Sequence, residues 1–141
     1  MFSIEICIDV PDIEQGLRFY GSAFGFAKVA EPYPGVAVLK VGTETITLLE
    51  KRAQTKPSPN TLDVRHYDRH WTPVHLDFHV DDVRQALEKA VNAGATKEQF
   101  FENNKAQALV YPGPGQALEK GGVVDKQHVK PAKGGWKRWG K

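Results

Sequence analysis

The chain holds one cysteine, Cys7, among 141 residues, so it closes no internal disulfide, and a reducing, cytoplasmic setting is expected. It has no run of about 18 apolar residues, which excludes a membrane-spanning helix. Its start lacks a basic segment, a long apolar stretch and a small-residue cleavage site, so no signal peptide is expected. Neither sign of charge dominates: 19 Lys and Arg stand against 17 Asp and Glu, for a net +2. That balance hides an asymmetry. Residues 120–141 carry seven basic residues and only Asp125 as an acid, a net +6, which leaves −4 on the other 119 residues. A basic tail can touch nucleic acid or a membrane surface. The expectation here is a solvated, irregular terminus, with neither membrane nor nucleic acid as a partner.

What remains is ordinary for a globular protein, with 40% hydrophobic and 26% charged residues. The length suits one domain, or two small modules around one core. The most informative feature is an internal echo at an offset of 70 residues. Val10-Pro11-Asp12-Ile13-Glu14-Gln15-Gly16-Leu17 recurs as Val80-Asp81-Asp82-Val83-Arg84-Gln85-Ala86-Leu87, and the same offset carries Glu5 onto His75. Repetition of this kind reveals architecture.

Each copy joins a strand to a helix. Residues 2–10 alternate, with Ile4, Ile6, Ile8 and Val10 on one face and Glu5, Cys7 and Asp9 on the other. Asp12 caps a helix and Gln15 completes a capping box. Ile13, Leu17, Tyr20 and Phe24 share a helical face, and Gly25 stops the helix. Strands are expected at 26–30, 35–41 and 44–50, divided by Pro32, Pro34 and Gly42. Residues 51–72 form a polar connector, which is a linker between modules, a loop over a pocket, or both. From Pro73 the pattern restarts. Leu76, Phe78 and Val80 face one way and His75, Asp77 and His79 the other. Asp82 and Gln85 repeat the cap, Val83, Leu87, Ala90 and Val91 give the stripe, and Gly94 stops the helix. Strands follow at 96–101 and 106–111, with a last short one from Gln116. Beyond Lys120 no periodicity is legible. The expected fold is α+β: two βαβββ modules, 1–50 and 73–119, forming a cupped, mostly antiparallel eight-stranded sheet with the helices outside.

The polar strand faces carry the chemistry. A face bearing Glu5, Cys7 and Asp9, or His75, Asp77 and His79, either meets water or lines a cavity. If the modules pack about a pseudo-two-fold axis, Glu5 and His75 approach across a cleft. An oxygen and an imidazole nitrogen begin a site for a divalent first-row metal. Glu119, four residues beyond Gly115, is a candidate third ligand.

These features resemble the vicinal oxygen chelate superfamily of glyoxalase I, bleomycin-resistance proteins, fosfomycin-modifying enzymes and extradiol dioxygenases. The resemblance spans about residues 2–119. It rests on Val10-x-Asp12 followed by Phe19-Tyr20 and Phe24-Gly25-Phe26, and on Val80-x-Asp82 followed by Ala93-Gly94-Ala95. It implies metal ligands on the first, fourth, fifth and eighth strands. Those positions fall on Glu5, on Thr47 or Leu49, on His75 and on Glu119. Glu50 has the wrong strand parity. The implied set is therefore Glu5, His75 and Glu119 holding Zn, Ni, Mn, Fe or Co.

With the metal bound, the resemblance implies chemistry on a substrate with two neighbouring oxygens. Glu5 or Glu119 would move the proton. Asp77 and His79 would orient or touch substrate, together with Cys7, Thr47 and Trp71. The alternative is a metal-free, bleomycin-resistance-type binding protein whose aromatic walls come from Tyr33, Tyr67, Trp71 and Phe101. The resemblance also implies a homodimer.

Overall fold

Alternation and capping produce the same strand-helix start twice. The computed structural model describes residues 2–68, 76–102, 106–111 and 121–125, and from residue 101 onward it describes backbone only. In the first module β1 (Ile6–Val10) leads into α1 (Ile13–Phe24), and then β2 (Ala27–Tyr33), β3 (Val36–Val41) and β4 (Glu44–Glu50). The second module repeats the order with β5 (Asp77–Val80), α2 (Val83–Asn92), β6 (Thr96–Glu102), β7 (Ala106–Tyr111) and β8 (Gly121–Asp125).

Both helices begin as their sequences dictate. The Asp12 carboxylate accepts the Gln15 N–H at 2.7 Å, and Asp82 does the same for Gln85 at 3.0 Å. The first helix gains a second anion: Glu50 Oε2 accepts the Ile13 N–H at 3.0 Å. Glu50 therefore lies on the helix side of its strand, as its parity requires. At the far end Gly25 takes φ +72°, where its N–H donates to the Gly21 carbonyl at 2.9 Å and the Phe26 N–H donates to the Tyr20 carbonyl at 3.3 Å.

Each module builds a four-stranded sheet, in the orders β1-β4-β3-β2 and β5-β8-β7-β6. The first and fourth strands of each are parallel and the remaining pairs antiparallel. Among the described residues no ladder joins the two sheets into one. The modules meet instead through α1 against α2, and through Phe78 of β5 stacked on Phe24 at 4.8 Å.

One apolar core crosses both modules. Val10, Tyr20, Leu39 and Leu48 are fully buried, and Val83, Leu87, Ala90 and Ala95 extend the same cluster. Burying a side chain such as Leu48 contributes about 1.5–3 kcal/mol. Gly16 lets α1 approach β1 and β4: a Cβ there would sit 3.1 Å from Leu48 Cδ1 and 3.2 Å from Val10 Cγ1.

Four details differ from the expectation. The first strand starts at Ile6, leaving Phe2 and Ile4 exposed. Strand β2 runs through Pro32 to Tyr33, which an edge strand tolerates because its outer N–H groups need no ladder partner. Val91 lies at the margin of the helical stripe and is 41% exposed. The last strand is Gly121–Asp125, inside the segment whose sequence shows no periodicity. Among the described residues no helix is long and apolar enough to cross a membrane.

Candidate functional site

The parallel pairing of β1 with β4 sets Cys7 opposite Thr47. Residues two apart share a face, so Glu5, Cys7 and Asp9 line up beside Thr47 on the side away from α1. Thr47 is the one buried polar residue among the described residues, 5% exposed. Its hydroxyl donates to Glu5 Oε1 at 2.9 Å. That bond settles a polar group in a strand otherwise buried among Ile46 and Leu48. It also orients a carboxylate that would otherwise rotate freely just before the strand.

Asp9 has a different partner. Arg65 Nε donates to Asp9 Oδ2 at 2.7 Å, with both side chains partly covered. The same guanidinium reaches the Thr55 hydroxyl at 3.2 Å and the Lys56 carbonyl at 2.8 Å through Nη1. The Arg65 N–H donates to the Thr55 carbonyl, and its carbonyl accepts the Gln54 N–H. Tyr67, 9% exposed, donates its hydroxyl to the Lys51 carbonyl at 2.6 Å. The described part of the connector is thus clasped to the first module, with Arg65 tying it to β1. Arg65 was not legible as a functional residue. The available signal was a strand face with two carboxylates and no cation of its own.

The charges have consequences for the neighbouring groups. Cys7 is exposed, yet partial desolvation, then the negative charges of Glu5 and Asp9 and a hydrogen bond to Glu5, raise its thiol above its ordinary value. At neutral pH it is a thiol and a poor nucleophile, suited to contact rather than attack. Burial, and then the Asp9 charge, raise the Tyr67 phenol, against a smaller lowering by Arg65.

The structure brings together Glu5, Cys7 and Thr47. Leu49, the other fourth-strand candidate, is half-buried and offers no donor. Asp77 and His79 stand elsewhere, on a cleft of about 810 Å³ between the modules. His75, Glu119 and Trp71 lie outside the described residues, and the side chain of Phe101 is likewise not described. Among the described residues no three His, Cys, Asp or Glu side chains form a group able to hold a metal. Of the described residues Glu5 fits such an ion: one carboxylate oxygen is fixed by a neutral hydroxyl, and among the described residues no cation pairs with it.

Comparison with known proteins bears on the family and the fold. Residues 5–118 match the family model described as a glyoxalase-like domain. No curated protein sequence matches. Among solved structures, the fosfomycin resistance protein FosX from Mesorhizobium loti superposes with a TM-score of 0.64 at 11% identity, covering 89% of this chain and 92% of that one. A lactoylglutathione lyase from Agrobacterium tumefaciens gives 0.58 at 15% identity, covering 89% and 93%. A mutant FosX from Listeria monocytogenes, complexed with Mn(II) and 1S,2S-dihydroxypropylphosphonic acid, gives 0.63 at 12% identity, covering 88% and 90%. At these identities the likeness is one of fold.

Proposed function

The chain belongs to the glyoxalase-like domain family, and from that premise we propose that it is a metal-dependent enzyme acting on a small molecule with two neighbouring oxygens. The observation that carries the reading is the Glu5 carboxylate, set on the polar face of β1 and oriented by the Thr47 hydroxyl at 2.9 Å. A hard oxygen held by an outer hydrogen bond suits a divalent first-row ion. Glu5, His75 and Glu119 are the proposed ligands, for Zn, Ni, Mn, Fe or Co. The Listeria FosX neighbour was solved with Mn(II), which makes manganese the first ion to try. Such an ion would supply Lewis-acid polarisation of the substrate's oxygen pair.

The chain's own groups have separate tasks in this reading. Glu5 or Glu119 moves a proton on the substrate carbon or oxygen. The Cys7 thiol, kept protonated by partial desolvation and then by the Glu5 and Asp9 charges, offers a neutral contact to substrate. Trp71, from the connector, is the proposed further contact to substrate, whereas Asp77 and His79 line the separate cleft between the modules. Arg65 offsets the Asp9 charge, so Glu5 is the carboxylate of that face with no cation partner among the described residues.

A homodimer completes the proposal, with the two sheets joined across a subunit boundary into an eight-stranded cup. Its support is that β1 and β5 each pair on one side only among the described residues. At the start of β1 and just before it, Ile6, Ile4 and Phe2 are exposed. An unpaired apolar edge is a template for another chain.

The test is elemental analysis of protein purified without chelator, followed by Mn(II) titration read by electron paramagnetic resonance. One ion per chain is expected, with Glu5→Gln and His75→Ala each weakening binding. Absence of stoichiometric metal, and no response to added metal, would overturn the reading. The metal-free binding protein would then stand, and an aromatic ligand would quench Trp71 regardless of chelator or His75→Ala.

A further inference from the structure

The far end of the Glu5 face is finished by a residue of the connector. Glu5 and Cys7 are exposed, whereas Asp9 is half-buried where Arg65 meets it. Asp9 stands four residues beyond Glu5, about 13 Å along an extended chain at roughly 3.3 Å per residue. A ligand that reaches from Glu5 to this end is elongated, and its second end meets Arg65.

Arg65 is a fixed donor there. Its Nε donates to Asp9 Oδ2 at 2.7 Å, and its Nη1 to the Thr55 hydroxyl and the Lys56 carbonyl at 3.2 and 2.8 Å. The side chain is only 17% exposed. The third nitrogen, Nη2, makes no hydrogen bond to any of the described residues. It shares the Nε edge of the planar guanidinium, the edge that meets Asp9, so it lies beside the polar face. The Tyr67 hydroxyl does not compete with it, being donated to the Lys51 carbonyl at 2.6 Å. A donor held by three bonds is in place before a ligand arrives, which lowers the ordering cost of binding.

The pairing with Asp9 decides what Nη2 accepts as a partner. An oxyanion would be a second carboxylate on one guanidinium. Glu5 would be a further negative charge on the same face, with no cation beside it among the described residues. The oxyanion would also give up its hydration. A neutral carbonyl oxygen takes the same N–H without adding charge.

We propose that Arg65 Nη2 is a specificity contact of the Glu5 face, donating to an uncharged carbonyl oxygen, such as that of a carboxamide, at the end of the ligand opposite its oxygen pair. The inference rests on the Glu5 face being the substrate site and needs no metal there. Asp9 becomes a positioning residue that holds the guanidinium and offsets its charge.

The probes are dihydrocaffeamide and dihydrocaffeate, which share a pair of neighbouring oxygens and differ in charge at the other end. Affinities for the full chain are measured by calorimetry, with one equivalent of Zn(II) and separately in EDTA, and the Arg65 side-chain N–H signals are followed by NMR. The amide is expected to move those signals and to bind about fivefold tighter than the carboxylate, the scale of one net hydrogen bond. Arg65→Lys keeps a cation against Asp9 but lacks the second edge nitrogen, and should weaken the amide about fivefold. Asp9→Asn keeps an acceptor for Nε and releases the Arg65 charge, so the carboxylate should gain until the preference is lost or reversed. That reversal is a readout that a purely structural role for Arg65 would not give, and it stands even if Arg65→Lys fails to fold. A carboxylate bound as tightly as the amide by the unaltered chain, Arg65 signals that do not move, or an Asp9→Asn protein with its preference intact would overturn the proposal. So would the absence of binding by either probe in both conditions. Equal binding in Zn(II) and EDTA with the amide preferred upholds it, and counts against the metal-dependent reading alone.

Discussion

Replacing Thr47 with valine isolates the contact on which the Glu5 face depends. Valine keeps the β-branched shape in a strand position that is 5% exposed, so no cavity opens. Exchanging a buried hydroxyl for a methyl returns about 0.8 kcal/mol of apolar burial. The loss is a hydrogen bond to an ionised acceptor, about 1.5–3 kcal/mol where both partners are buried. Glu5 is exposed and recovers water when the hydroxyl leaves, so the lower end applies. The net cost to stability is therefore about 1 kcal/mol. In a Glu5→Gln background the bond is neutral, worth about 0.5–1.5 kcal/mol, and the methyl nearly cancels it. A double-mutant cycle by urea denaturation should thus return a coupling of about 0.5 kcal/mol. Mn(II) affinity should fall about tenfold in Thr47→Val, the usual effect of losing a group that orients a ligand. A coupling below about 0.3 kcal/mol, within the additivity error of such cycles, would refute the bond as an organising contact. Unchanged Mn(II) affinity in a folded Thr47→Val protein would refute its role at Glu5.

Three further outcomes follow from the same geometry. The alkylation rate of Cys7 by iodoacetamide should rise with pH through a midpoint above that of a free thiol, because desolvation and the Glu5 and Asp9 charges favour the protonated form. Since this group's pKa is raised on folding, its contribution to stability is present below the unfolded thiol's pKa and is lost as pH climbs through the folded one; a midpoint at or below the free value contradicts the arrangement. Arg65→Ala should cost about 1–2 kcal/mol, discounted from the 3–5 of a fully buried pair because Asp9 keeps some solvent. It should also speed tryptic cleavage at Lys51, Arg52 and Lys56 several-fold, and unchanged proteolysis would show that the connector is held by other means. Gly16→Ala gains about 1 kcal/mol of helix propensity but overpacks Val10 and Leu48 at a cost of about 1–3 kcal/mol, so thermal denaturation should show a small net loss of stability; stabilisation would mean that β1 yields.

What was legible in the sequence had local causes. Asp12 with Gln15 and Asp82 with Gln85 announce helices because a carboxylate three residues ahead of an N–H is a contact within one turn. Gly25 announces a stop for the same reason. The polar face of β1 was legible from alternation alone. Pairings across distance were not. The Arg65–Asp9 bond spans 56 residues, and nothing in a polar connector marks one of its cations as the partner of a strand. Strand β8 was missed because Gly121 and Gly122 carry no side chain to alternate, leaving Val123 and Val124 as a signal too short to read. The proposed second and third ligands, His75 and Glu119, rest on spacing and resemblance.

The two sheet registers give a physical account of why the repeated modules are not interchangeable. The 70-residue offset maps Cys7 onto Asp77, and the parallel ladders pair Cys7 with Thr47 and Asp77 with Gly122. The place that supplies a hydroxyl to Glu5 in the first module is therefore a glycine in the second. A duplicated fold needs only its caps, its apolar stripe and its strand parity to persist, and those do persist. The proposed metal chemistry calls for a hydroxyl beside a carboxylate and a cation against Asp9. The first module has both, the cation arriving from the connector. That cation, Arg65, lies outside the two repeated segments, so the first polar face has a partner that the repeat itself does not carry. Restoring a hydroxyl with Gly122→Thr would test how far register governs the site. Because the position equivalent to Glu5 is His75 and not a carboxylate, the new hydroxyl should not raise Mn(II) affinity, and a gain would show that the second face was already poised to bind.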